Sequence, residues 1–128
     1  MERAKILIAD DEAHIIHVVQ LKLQNGGFDV VTAMDGREAL ELARRERPQL
    51  LISDLQMPIL SGLELAAALY QDPQTRHLPI ILLTAKGFEV DDEATARTNV
   101  RMIMTKPFSP RELLARVNEL VEQPAGVC

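Results

Sequence analysis

Acidic residues in this sequence fall at the ends of apolar runs. Asp10 and Asp11 follow KILIA (residues 5–9), and Asp54 follows LLIS (residues 50–53). A hydroxyl, Thr84, closes the run IILLT, and an amine, Lys106, lies just past MIM (residues 102–104). Adjacent like charges repel, and a carboxylate at the edge of an apolar core loses hydration. A helix N-cap accounts for one aspartate after residue 9, since an amphipathic stretch follows, but not for two. Three carboxylates brought to one place call for a hard divalent cation, and Mg²⁺ takes one to three carboxylates, waters and a phosphate oxygen. Lys106 adds a point charge suited to phosphate, and Thr84 adds a donor. Carboxylates, Mg²⁺, an amine and a hydroxyl are the parts of a phosphoryl-transfer site. No glycine-rich phosphate loop is present, which argues against an ATPase, and no residue stands out as a base for activating water. The nucleophile is then a carboxylate that forms an acyl phosphate. Asp54 fits best, because it stands alone at the end of a run.

Those residues meet only if the elements carrying them are arranged to that end. Short apolar runs alternate with amphipathic ones. KILIA reads as a strand, and residues 12–24 as a helix with Ile15, Val18, Val19 and Leu23 on one face. Asn25 to Gly27 break it, and FDVVTA is a second strand. Asp35 and Glu38 have the spacing of a capping box, and the helix that follows carries Ala39, Leu42 and Ala43 before Pro48 ends it. LLIS is the third strand. A helix over residues 62–71 turns Ala66 and Leu69 inward, and IILLT is the fourth strand. Residues 91–98 form a weak helix, MIM a short fifth strand, and Ser109, Pro110 and Glu112 open a last helix that buries Leu113, Val117, Leu120 and Val121. Continuous apolar strands joined by helices imply one doubly wound five-stranded parallel α/β sheet covered on both faces. Ligands in such sheets bind beyond the carboxyl ends of the strands. Asp10, Asp11, Asp54, Thr84 and Lys106 are therefore expected on one rim.

Composition agrees. At 128 residues the chain suits one domain, expected over residues 1–122 with a frayed tail at 123–128. Hydrophobic residues make up 47% and aromatic ones only 3%, so the core is aliphatic. A net charge of −5 without a Lys/Arg block argues against direct nucleic-acid binding. A lone cysteine, Cys128, cannot form an internal disulfide, and a reducing cytoplasm fits. The start has no signal-peptide pattern, and no segment is long enough to cross a membrane.

ILIADDE, LLISDLQMPILSGLEL, PIILLTA and MTKPFSPRELLARV, in that order and spacing, resemble the receiver domain of two-component response regulators. The likeness runs from Lys5 to about Val121. It implies a flavodoxin-like strand order 2-1-3-4-5, Asp54 as phosphoacceptor, and Mg²⁺ held by Asp10, Asp11, Asp54 and the backbone carbonyl of Gln56. It implies that Thr84 binds the phosphoryl group, that Lys106 pairs with it, and that Lys106–Pro107 is cis. The implied protein is a signalling switch with self-catalysed phosphotransfer and dephosphorylation, not a turnover enzyme. Its partners would be a histidine kinase or histidine phosphotransfer protein and a downstream protein effector. Lys86 and Gln56, each two residues past a site residue, would flank the path of attacking water.

Plainer readings stand beside these. Thr84 alone is a β-former ending a strand, and Lys106 alone is a surface lysine. His14 and His17 lack a third ligand and read as ordinary helix residues. Met57, Pro58 and Gly62 shape the loop after Asp54. A Mg²⁺-dependent phosphohydrolase would want its acids together on the first strand and a cap insertion. A degenerate receiver would lack an acid, the threonine or the lysine. The sequence departs from the family at Ile103, where an aromatic residue is common, and at Asn99-Val100, where Gly-Ala is common. The last helix resembles a DNA-binding subfamily that dimerises through helix four, strand five and helix five. Glu112 and Arg116 match its pairing positions, but Asp92, Arg101 and Met102 stand where their partners would be. A monomer, or a dimer of another type, is expected.

Overall fold

The computed structural model describes residues 3–85 and 92–121. Strands β1 (Lys5–Ala9), β2 (Asp29–Ala33), β3 (Leu50–Asp54), β4 (Ile80–Thr84) and β5 (Val100–Thr105) alternate with helices α1 (Ala13–Asn25), α2 (Gly36–Glu46), α3 (Gly62–Gln71), α4 (Asp92–Thr95) and α5 (Pro110–Val121). The strands form one sheet in the order β2-β1-β3-β4-β5, with every pair parallel. The expected tail at 123–128, Cys128 and Lys86 lie outside the described residues, as does the side chain of Asp92.

β1, β3 and β4 are buried almost throughout, which is why they read as unbroken apolar runs. Alternate strand residues feed two cores. Ile6, Ile8, Leu50, Ile52, Ile81 and Leu83 pack against α1 and α5. Leu7, Ala9, Leu51, Ile80 and Leu82 pack against α2 and α3. β5 is an edge strand with only Met104 buried; MIM is its unbroken apolar run, while pairing with β4 extends from Val100 to Thr105.

Three local expectations need correction. On α1 the buried stripe is Ile16, Val19 and Leu23, while Val18 is 46% exposed and Ile15 half-buried. Four apolar residues within five positions give two overlapping stripes, and only the angle at which the helix meets the sheet chooses between them. At α2, Asp35 caps Glu38 N–H at 2.8 Å, but the Glu38 carboxylate accepts from Met34 N–H, not from Asp35, so the box is not closed. A reciprocal capping box does exist at Ser61 and Glu64, opening α3. Among the described residues the weak fourth helix ends at Thr95, short of the expected residue 98.

Candidate functional site

The sheet order reverses between β1 and β3: from β1 the chain crosses one way to β2, and from β3 the other way to β4 and β5. The crevice beyond their carboxyl ends is open on both sides. Asp10 directly follows β1 and Asp54 ends β3. Both are carried into the crevice by strands too apolar to sit elsewhere, and both are buried, at 0% and 7% exposure.

Lys106 closes the site. Its backbone N–H donates to Thr84 O at 2.6 Å, which ties the end of β5 to the end of β4, and the Lys106–Pro107 bond is cis as expected. Its ammonium lies 3.2 Å from Asp10 Oδ2, 3.4 Å from Asp54 Oδ1 and 3.0 Å from Glu12 Oε1. Asp10 Oδ1 accepts from Glu12 N–H at 2.9 Å, so the first aspartate also serves the turn into α1. Carboxylate oxygens of Asp10, Asp11, Glu12 and Asp54 all lie within 4.8 Å of one another. Thr84 is buried one register step past Leu83, the β4 partner of Asp54. Gln56 is exposed on the loop just beyond Leu55. The five residues expected at the rim thus end at the carboxyl side of the sheet, with Gln56 on the loop beside them.

Glu12 was not expected there. It read as the first residue of a helix, and it is indeed the N-cap of α1, but its side chain makes no cap and reaches Lys106 instead. A third acid in the run DDE was the available sign.

The electrostatics follow from burial. Loss of hydration pushes Asp54 above the ordinary carboxylate range, the nearby Asp10 charge adds to that, and Lys106 opposes it. Burial likewise raises Asp10, against the Glu12 backbone hydrogen bond and Lys106. Glu12 is held low by its hydrogen bond from Lys106. Burial works to lower Lys106, but Glu12, Asp10 and Asp54 outweigh it and push the ammonium up to about 12. The ammonium is therefore permanently charged.

One amine faces four carboxylates, and the donor set is all oxygen, which suits a hard divalent ion. Octahedral Mg²⁺ holds opposite oxygens about 4.2 Å apart. A cluster spanning 4.8 Å accepts it with a slight contraction or an intervening water.

Residues 6–118 match the response regulator receiver domain. The chain belongs to that family. Receiver domains are signalling domains, and this one is 43% identical over 119 residues to the alkaline phosphatase synthesis transcriptional regulatory protein of Bacillus subtilis, covering 93% of this chain and 49% of that protein. It is 37% identical to the phosphate regulon transcriptional regulatory protein of Pseudomonas aeruginosa, over 92% of this chain and 52% of that protein. The receiver therefore spans about half the length of these relatives. Among solved structures, a putative response regulator from Chloroflexus aurantiacus superposes with a TM-score of 0.87 at 32% identity, covering 95% of this chain and 100% of that one. A chemotaxis response regulator of Vibrio cholerae superposes at 0.84 with 34% identity, covering 93% and 99%.

Proposed function

We propose that this receiver is a phosphoacceptor switch in which Asp54 takes a phosphoryl group from a histidine kinase or histidine phosphotransfer protein. The observation that carries this reading is the convergence of Asp10, Glu12 and Asp54 on the Lys106 ammonium at the sheet's switch point. An Asp54 carboxylate oxygen attacks phosphorus in line. The new bond is the acyl phosphate O–P bond, the bond broken is the P–N bond of the donor phosphohistidine, and the departing imidazole takes up a proton. Mg²⁺ held by Asp10, Asp11, Asp54 and the Gln56 carbonyl would supply charge neutralisation for the phosphoryl oxygens. Lys106 is the second positive charge and turns from its carboxylates toward the phosphoryl group. Thr84 donates its hydroxyl to the same group, which ties the event to the end of β4.

A protein donor is favoured by the surroundings. A groove of about 370 Å³ beside the site is lined by Ile15, Val18, Val19, Pro107 and Phe108, with Glu12 and Lys106 at its edge. An apolar surface next to a charged centre fits the packing face of a helix that carries the phosphohistidine. The phosphorylated form regulates a downstream protein effector in the cytoplasm, and the receiver itself makes no nucleic-acid contact. Among the described residues no helix is long and apolar enough to cross a membrane.

The test is intact-mass spectrometry after incubation with acetyl phosphate. One phosphoryl adduct is expected with Mg²⁺, none with EDTA, and none in Asp54→Asn. An undiminished adduct in Asp54→Asn overturns the assignment.

A further inference from the structure

We propose that the groove across the amino-terminal edge of the sheet docks an acidic peptide segment of a partner protein. It lies at the opposite end of the strands from Asp54, about 15 Å away for strands of this length. A cavity of about 730 Å³ runs from the end of α2 past the starts of β3, β4 and β5 to the end of α5. Arg47, His77 and Arg101 line it together with the apolar Leu78, Pro79 and Leu120. Neighbouring strands are about 4.8 Å apart, so β3 to β5 spans roughly 10 Å. That is room for a short extended segment.

Charge selects the occupant. The chain carries a net charge of −5, yet on the α2, β4 and β5 sides of the groove the segments 44–49, 71–79 and 95–101 hold Arg44, Arg45, Arg47, Arg76, Arg97 and Arg101 against two acids. Both acids are already engaged: Glu46 by Lys5 and Arg45, and Asp72 by Arg44. Glu119, near the end of α5, turns to Arg116 at 2.9 Å. Among the described residues no carboxylate pairs with Arg47, His77 or Arg101. Arg47 also ends α2 in a left-handed conformation, φ 49°, where Gly or Asn would be less strained.

A peptide fits better than nucleic acid. The groove is part apolar, and no Phe, Tyr or Trp lines it to stack single-stranded bases. A long polyanion would also meet the acidic rim at the other pole. A segment of alternating acidic and aliphatic residues matches both the arginines and the apolar floor.

The experiment is fluorescence anisotropy with a labelled peptide of alternating Glu and Leu, titrated with the full chain. Saturable binding that weakens with salt is expected. Arg47→Ala/Arg101→Ala should weaken it about tenfold, the sum of two exposed charges at about 0.7 kcal/mol each. Arg111→Ala, at the far end of α5, should leave it within about twofold. Thermal melts establish that the variants fold. No saturable binding, equal losses in the double variant and Arg111→Ala, or equally tight capture of a DNA duplex at the same arginines would each overturn the proposal.

Discussion

Neutralising Asp54 should make the metal-free protein more stable. At an effective dielectric of ~20, the Asp54 contact with Lys106 at 3.4 Å is worth about 5 kcal/mol. On the same scale, Asp10 within 4.8 Å of Asp54 costs at least about 3.5 kcal/mol. The exposed Asp11 adds about 1 kcal/mol with water screening. Attraction and repulsion nearly cancel, so the several kcal/mol of lost hydration decides the sign. The raised Asp54 value has the same meaning: burial is its first cause, and the folded state prefers the neutral acid. Asp54→Asn keeps the volume and removes the charge. A gain of about 1–2 kcal/mol is expected at neutral pH with EDTA present, read as a rise of about 4–8 °C in Tm. A carboxylate raised on folding favours the folded state below its unfolded value and loses that benefit as pH rises through its folded value. The variant's advantage is therefore full above the raised Asp54 value and fades as pH falls toward 3.8. Saturating Mg²⁺ should stabilise the wild type more than the variant, which has lost a ligand, and so narrow or invert the difference. A variant that melts at or below the wild type in EDTA at neutral pH would refute the account.

Removing Asp11 takes one oxygen from the cluster but leaves the buried pair intact, so Asp11→Ala should bind Mg²⁺ about tenfold more weakly while folding normally; unchanged affinity by titration would count against the metal reading. Ile59 sits at φ 72° in a tight turn closed by Leu60 N–H to Pro58 O at 2.8 Å, and it is 69% exposed. A β-branched residue is strained there and packs little, so Ile59→Asn should raise stability by about 1 kcal/mol in urea unfolding, and a loss would show the side chain to be anchored. On assembly, Arg116 already pairs with Glu119 within α5 and Arg101 is exposed. Light scattering of the beryllofluoride-bound protein should therefore show no dimer through α4, β5 and α5, and a two-fold dimer built on Glu112 and Arg116 would contradict this. Ile103, 41% exposed on the edge strand, should keep its rotamer between crystals with and without that phosphoryl mimic; an inward swing would be the opposing result.

The parts of the fold legible in the sequence are those where one force dominates. β4 and α3 were bounded to the residue, because IILLT is buried on both faces and Gly62–Gln71 lies between a serine cap and the turn at Asp72. The rim was legible because a parallel sheet sends every strand's carboxyl end the same way. What stayed hidden depends on geometry between distant segments. The choice of Ile16 over Val18 is made by the docking angle of α1. The part played by Glu12 depends on a residue 94 positions away. The extent of β5 is set by backbone pairing with β4, to which the side chains of Arg101 and Thr105 give no apolar sign.

Lys106 gives the acidic crevice a counter-ion that cannot diffuse away. Its concentration beside Asp10 and Asp54 is fixed by the chain, whatever the ionic make-up of the surroundings. The carboxylates thus reach the rim part-neutralised by the chain itself. The same tether limits where the charge can go. When another anion settles on Asp54, the amine can exchange partners within its own reach but cannot leave, so the change in charge must be taken up by what it is bonded to. Through its backbone that is Thr84, and through its salt bridges Glu12 at the head of α1. A local exchange of ionic partners would thus reach a strand end on one side and a helix start on the other.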